Sequence, residues 1–306
     1  MKQILFRSDS SSSIGTGHIK RDLILAKRFG DAKITFAMRD LAGNINHEVL
    51  EAGYALEILK SSSLSELDAL VKKLSVDLLI IDHYDIDYKF EKELKRQNPD
   101  TKIMVLDDTY QKHHCDTLLN HNIYAKKKRY KSLVPKGCKL LCGSKHTLLR
   151  DEFRSAKNSV AKGEQKRIVV AMGGSDSANL SIKILKALKK QSKAFDVDLV
   201  TTTANKNLEK LKKWCRSCER VELHIDSNEV ANLLKNSTFA IISASSLANE
   251  AYYLEVPFIA IKTASNQREM HKWLRKSDHI SLKKFSKKKL KKGVKKLIKQ
   301  EVKRWV

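Results

Sequence analysis

The chain has 306 residues, 42% of them hydrophobic, and 60 Lys/Arg against 35 Asp/Glu give it a net charge of +25. That length suggests two domains of ordinary size, each able to bury a core. The longest apolar runs, such as Leu78-Leu-Ile-Ile81, fall well short of the roughly 18 residues that span a bilayer. The N-terminus leads straight into a strand-like stretch without the regions of a signal peptide, so a soluble, cytoplasmic protein is expected.

Five cysteines without a secretory signal point to reduced thiols. Cys215 and Cys218 have zinc-knuckle spacing, but Cys138 and Cys142 make a poor partner pair, and free thiols are the preferred reading. The positive charge is uneven. Residues 283–304 hold twelve Lys/Arg and one acid, Glu301. Such a balance suits anionic ligands or surfaces.

The first strand, Gln3 to Phe6, runs into Arg7-Ser-Asp-Ser-Ser-Ser-Ser-Ile-Gly-Thr-Gly-His-Ile-Lys-Arg21 and a helix from His18 to about Phe29. Gly15 and Gly17 let the backbone turn and let a ligand come close. His18 falls on the first helical turn, where free N–H groups and the positive dipole end favour an anion. A titratable imidazole there is a candidate catalytic group, although a tight turn with an exposed histidine would look the same. The loop is neither a dinucleotide fingerprint, since Lys20 stands where a third glycine is needed, nor a P-loop, since His18 follows Gly17. A sugar-nucleotide enzyme is the next candidate.

Strands at Lys33–Ala37, Tyr54–Ile58, Val76–Ile81 and Ile103–Leu106 alternate with helices at about 44–52, 64–74 and 89–96. This is the pattern of a doubly wound parallel sheet, in which ligands bind beyond the carboxyl ends of the strands. Arg7 to His18, Asp82 to Tyr84, and Asp107-Asp108 should then share one rim.

Residues 146–166 turn polar and read as a connection, with Arg150 and Asp151 opening a short charged helix. A second alternating series follows, with strands at 167–172, 197–201, 221–224, 239–242 and 257–261. The expected organisation is therefore a domain over 1–145, the connection, a second domain over 167–282, and a basic tail over 283–306. Two strand-to-helix turns of the second domain carry chemistry. Gly173-Gly174-Ser175 can present backbone N–H groups to phosphate. Ser243 to Glu250 offers the hydroxyls of Ser245 and Ser246 and, a turn or two inside, a carboxylate able to accept both ribose hydroxyls from a nucleotide. Helix capping by Ser245 or Ser246 is the plainer alternative.

In the tail, Leu290, Val294, Leu297, Ile298, Val302 and Trp305 share one helical face. Packing on the body is preferred to lying on a membrane, although contact with an anionic surface stays open. No reader motif or basic-aromatic platform points to nucleic acid.

Leu5-Phe-Arg-Ser-Asp-Ser10, Ile14-Gly-Thr-Gly-His-Ile-Lys-Arg-Asp22, Ile80-Ile-Asp-His-Tyr84, His113-His-Cys-Asp116, Leu148-Leu-Arg-Asp-Glu-Phe153, Met172-Gly-Gly-Ser-Asp176 and Ile241-Ile-Ser-Ala-Ser-Ser-Leu-Ala-Asn-Glu250 occur in this order. Together they resemble the hydrolase family of the pseudaminic acid pathway, which removes UDP from UDP-2,4-diacetamido-2,4,6-trideoxy-β-L-altropyranose. The likeness runs from residue 2 to about Leu274 and leaves out the basic tail. It implies two Rossmann-like domains facing across a cleft, as in the glycosyltransferase B fold, with UDP held mainly by the second domain and neither cofactor nor metal. It matches His18 to the catalytic histidine, Tyr84 and Asn266 to the sugar site, and Gly173, Gly174, Asn179, Asn249 and Glu250 to the nucleotide-binding face. Gly15, Gly17 and Arg150 are further candidates for binding the substrate, and Ser175, Ser245 and Ser246 for binding the UDP. Ser175 stands where a relative has Thr and keeps the hydroxyl. A monomer is expected, with flagellin glycosylation as the family's setting. A glycosyltransferase of the same fold and a UDP-sugar-binding protein without activity are the alternatives.

Overall fold

The structure is a computed structural model that describes residues 1–159, 166–176, 178–188 and 195–302, with side chains as far as residue 299. The chain divides into two compact units, Met1–Leu148 and Leu149–Val306.

The first unit is built from β1 (Gln3–Ser8), α1 (Gly17–Ala26), β2 (Lys33–Arg39), α2 (Asn46–Glu51), β3 (Ala55–Leu59), α3 (Leu64–Lys73), β4 (Leu78–Asp82), α4 (Tyr88–Gln97), β5 (Lys102–Leu106), β6 (Thr117–Asn120) and β7 (Lys139–Cys142). Its seven strands run in the order β3-β2-β1-β4-β5-β6-β7, all parallel. Strands covered on both faces need continuous apolar runs. Accordingly every residue of β4 is buried, as are Ile4 to Ser8 of β1. Phe6 and Phe36 stack at 4.7 Å within this core.

The second unit contains α5 (Asp151–Asn158), β8 (Arg167–Ala171), α6 (Leu180–Leu188), β9 (Asp196–Thr201), α7 (Leu208–Arg216), β10 (Val221–Ile225), α8 (Val230–Lys235), β11 (Phe239–Ser243), α9 (Ser246–Tyr253), β12 (Phe258–Ile261), α10 (Arg268–Lys276), β13 (Ile280–Leu282) and α11 (Lys287–Val302). Six parallel strands take the order β10-β9-β8-β11-β12-β13. Within the stretch expected to connect the domains, α5 belongs to this unit and packs on α8 and α9 through Phe153 and Ala156. Residues 160–165 of that stretch lie outside the described residues. Cys215 is buried in the core of this unit.

Three strands, β6, β7 and β13, were absent from the alternation expected from sequence. The tail helix α11 lies against α6, β12 and β13. Leu290, Val294 and Leu297 join Ile259, Ile261 and Leu282 in the core. A Cβ on Gly293 would come within 3.0 Å of Ile259 and 3.2 Å of Ile280, so this residue sets how closely the helix approaches the sheet. The apolar stripe is therefore occupied by protein, while Lys287 to Lys289, Lys292, Lys295, Lys296 and Lys299 are exposed. The Val302 side chain and Trp305 lie outside the described residues. No helix among the described residues is long and apolar enough to cross a membrane.

Candidate active site

In both sheets the chain reverses its winding beside the first strand of the unit, between β1 and β4 and between β8 and β11. Loops diverge at such switch points and leave room for a ligand at the carboxyl ends. The expected residues gather there.

In the first unit, Ser11 closes the loop after β1. Its hydroxyl accepts from the backbone N–H of Ile14 at 2.9 Å, and its carbonyl accepts from that of Gly15 at 2.8 Å. Gly15 takes a φ of +88°, which favours glycine. Gly17 is the first residue of α1, and a Cβ there would meet nothing within 4 Å. Thr16, at the N-cap, makes no side-chain cap, and the first turn carries no acid.

His18, the next residue, is buried, and its Nδ1 lies 2.8 Å from a carboxylate oxygen of Asp82. Asp82 is the last residue of β4 and is itself 1% exposed. Two groups face that nitrogen, the Asp82 carboxylate at 2.8 Å, which can only accept, and a terminal nitrogen of Arg21 at 3.1 Å, which can only donate; the shorter, carboxylate contact favours the proton of a neutral ring on Nδ1 and leaves Nε2 with its lone pair. Arg21, one turn along α1, grips the same carboxylate through Nε at 2.5 Å and through a second nitrogen, and reaches Asp108 at 3.2 Å. Burial pushes the Asp82 carboxyl up, but the charges of Arg21 and His18 outweigh it and hold the group well below the usual carboxylate range. The Tyr84 hydroxyl donates to Asp108 at 2.9 Å, and its ring stands edge-on to His18 with centroids 4.8 Å apart. Tyr84 is half exposed while His18 is nearly covered. The rim expected from sequence therefore exists within this unit, from the loop before His18 through Asp82 and Tyr84 to Asp108.

Asp82 and Asp108 were expected on the rim but given no role, and Arg21 was missed. The signal for Asp82 was present: it ends the apolar strand that a doubly wound order places beside β1. Arg21 sits three residues after His18, hence on the same helix face.

Below this rim Asp22 is completely buried and neither of its carboxylate oxygens has a hydrogen-bond partner among the described residues. Burial and the nearby Asp82 charge push its carboxyl well above the usual range, against the pull of Arg21.

In the second unit the two turns differ. Gly173 has a φ of +85°. A Cβ on Gly174 would come within 3.0 Å of the Thr202 hydroxyl, which donates to the Gly174 carbonyl. The start of α6 is already capped: the Asp176 carboxylate accepts from the backbone N–H groups of Leu180 and Ser181 at 2.8 and 2.9 Å. Ser175 is exposed, and Asn179 takes a φ of +50° with its N–H on the Asp176 carbonyl at 2.7 Å. The start of α9 is different. Ser245 stands at its N-cap but makes no side-chain cap, its hydroxyl instead meeting that of Ser243 at 2.7 Å, and Ser246 opens the helix. Of the two helix starts, α9 is the one open to an anion.

Asn249 and Glu250 are buried on α9. The Glu250 carboxylate does not stand alone, for Arg150 donates to it through Nε at 2.9 Å and through a terminal nitrogen at 3.1 Å. Asn266 is exposed in the turn Ser265–Gln267 that precedes α10.

Among the described residues one group could hold a cation, Asp198, Glu222 and His224. It lies on β9 and β10, away from the switch point between β8 and β11. Arg167 already spans it, with bonds of 2.8 and 2.5 Å to Asp198 and 2.8 Å to Glu222, and offsets one of its two negative charges.

No family model matches the chain. A UDP-2,4-diacetamido-2,4,6-trideoxy-β-L-altropyranose hydrolase of Campylobacter jejuni is 42% identical over 278 residues, covering 90% of this chain and 97% of that one. Solved structures resemble it in fold at low identity. Acinetobacter baumannii MurG gives a TM-score of 0.66 at 10% identity, over 97% of this chain and 91% of the other. The UDP-GlcNAc 2-epimerase of Neisseria meningitidis gives 0.61 at 11% identity, over 97% and 91%. Two parallel-sheet α/β units of the glycosyltransferase B type are thus shared with transferases and epimerases alike. The closer likeness, at 42% over nearly the full length of both chains, decides among them: the chain belongs to the family of UDP-2,4-diacetamido-2,4,6-trideoxy-β-L-altropyranose hydrolases.

Proposed function

We propose that this enzyme hydrolyses UDP-2,4-diacetamido-2,4,6-trideoxy-β-L-altropyranose to UDP and 2,4-diacetamido-2,4,6-trideoxy-L-altropyranose, as its Campylobacter relative is named to do, and that His18 is the general base. The observation that carries the chemistry is the His18–Asp82 pair at an uncapped helix start. Nδ1 is held by the carboxylate, so Nε2 is the nitrogen that takes a proton from water. As it does so, Asp82 stabilises the imidazolium that forms. Water then attacks the anomeric carbon, the bond from that carbon to the phosphate oxygen breaks, and UDP leaves with the electron pair. One displacement by water inverts the configuration.

UDP is a good leaving group without strong acid catalysis. The α9 start and the Gly173-Gly174 loop are suited to stabilising the charge that builds on its β-phosphate. Tyr84 and Asn266 are assigned to the sugar, and Asn249 and Glu250 to the nucleoside. General-base assistance is typically worth about 10² to 10⁴-fold. His18→Asn is therefore expected to lose activity on that scale while binding UDP normally.

The deciding assay is UDP release from the purified substrate with no acceptor present. Turnover there supports the hydrolase, whereas release that needs an added alcohol makes the protein a transferase. In ¹⁸O-water the label is expected in the sugar; label in UDP would mean attack at phosphorus and discard the proposed step.

A further inference from the structure

Glu250 presents a difficulty for any nucleotide-binding role. It sits inside α9, almost wholly buried, and burial pushes its carboxyl above the usual range. A buried carboxyl left alone becomes neutral and loses its strength as an acceptor. The chain answers this from a different element. Arg150 immediately precedes α5, and α5 packs on both α8 and α9. Its Nε and one terminal nitrogen take one Glu250 oxygen each, at 2.9 and 3.1 Å. Its other terminal nitrogen lies 2.9 Å from Glu152, and its guanidinium carbon stands 4.7 Å from the ring centre of the buried Phe153. The guanidinium is thus fixed on three sides.

A carboxylate has about four acceptor positions, two per oxygen. A fork uses one on each oxygen and fixes the plane of the group. One position per oxygen remains, which matches a vicinal diol with its two O–H donors.

We infer that Arg150 is a positioning residue for a ribonucleotide: it holds Glu250 anionic and in plane so that the remaining acceptor positions receive the two ribose hydroxyls. This rests on the reading of the second unit as the UDP-binding one. It also gives Arg150 a role other than sugar contact. The charged groups facing Glu250 are Arg150 and Glu152, both from the α5 segment, and Glu229, at the start of α8, acts in turn on Glu152.

The test is the affinity ratio of UDP to 2′-deoxy-UDP, measured by calorimetry from pH 5.5 to 8.5. The ratio cancels the titration of the phosphates. A lost hydrogen bond to a charged acceptor is worth roughly 10- to 100-fold in affinity. The unaltered protein is expected to show a ratio in that range that changes less with pH than that of Arg150→Gln. Arg150→Gln should shrink the ratio at low pH and let it recover as pH rises and Glu250 ionises. Arg150→Lys, which keeps the charge but not the fork, should keep the ratio level with pH at a reduced value. A ratio in Arg150→Gln that is unchanged, or that is reduced equally at every pH, overturns the inference, because a merely structural loss has no reason to titrate. Glu250→Gln separates the two levels of the argument. If it leaves both UDP affinity and the ratio intact, Glu250 is not the ribose acceptor and the underlying assignment falls with the inference. If it abolishes the ratio while Arg150→Gln does not, only the role of Arg150 falls.

Discussion

The His18 ring meets Asp82 through Nδ1 at 2.8 Å, and Arg21 holds both oxygens of the same carboxylate. The ring's orientation is thus fixed by a group that is fixed in turn. Asp82→Asn should cost kcat at least about 10²-fold, because an amide can donate to Nδ1 and move the proton to Nε2, the nitrogen needed as base. UDP affinity should be unchanged. It should also destabilise the fold, since Arg21 loses its ionic partner. Steady-state kinetics beside UDP calorimetry checks this; a kcat within threefold of normal would remove Asp82 from the mechanism.

Asp22 makes a prediction with a definite sign. Its folded-state carboxyl titrates well above the ordinary value, so between the unfolded value, about 4, and the folded one the native state carries a proton that the unfolded chain has lost. Stability then falls as pH rises, by about 1.4 kcal/mol per unit from this group alone. Asp22→Asn removes the effect. Urea melts should show the variant gaining on the unaltered protein as pH rises above about 4, the unfolded value. A stability difference that does not vary with pH would mean that Asp22 is ionised in place.

His113 belongs to a separate buried cluster beyond β5. Its Nδ1 lies 2.7 Å from Glu91, with Asp107 at 3.9 Å. Burial pushes the ring's pKa down, but the two carboxylates outweigh it and raise it to about 9. The contribution is complete below about pH 6.5, the unfolded value, and is lost as pH climbs through 9. His113→Gln should therefore be less stable than the unaltered protein at pH 6 and close the gap by pH 9.5. Parallel melts at the two pH values decide it, and an equal deficit at both would assign the loss to packing instead.

How much of this was readable beforehand depends on how each element is stabilised. The strands nearest the switch points are continuous apolar runs, and they stand where the alternation placed them. Two of the shortest strands were not readable. Thr117–Asn120 and Ile280–Leu282 are four and three residues long, too short for any period to show. His18 could be proposed from its place after two glycines. Its partner at Asp82 depends on strand order, which local sequence only implies. Ser243 to Glu250 could be singled out from its hydroxyls and its place at a helix start, but the fork from Arg150 spans a hundred residues and leaves no local trace. The cap on α6 is the reverse case, since Asp176 stood in plain view beside the two glycines and only the geometry shows that it occupies the helix start.

The tail invites a deletion experiment. Removing residues 287–306 takes Leu290, Val294 and Leu297 out of the core. At roughly 2 kcal/mol for each fully buried aliphatic side chain, the loss approaches the whole stability of an ordinary domain. The truncated protein should aggregate or unfold, whereas Lys→Glu changes at Lys288, Lys292 and Lys295 should shift stability by no more than about 0.5 kcal/mol each. Thermal melts of the two preparations compare them directly, and a well-folded truncation would show α11 to be dispensable.

Gly293 gives that comparison a practical turn. Because the helix rests on the sheet at a point where even a methyl group would be tight, the lysine-rich end works as a keel for the second unit rather than as a trailing appendage. Anyone troubled by the protein's stickiness toward acidic resins or polymers should repaint the outward lysines and leave the keel in place.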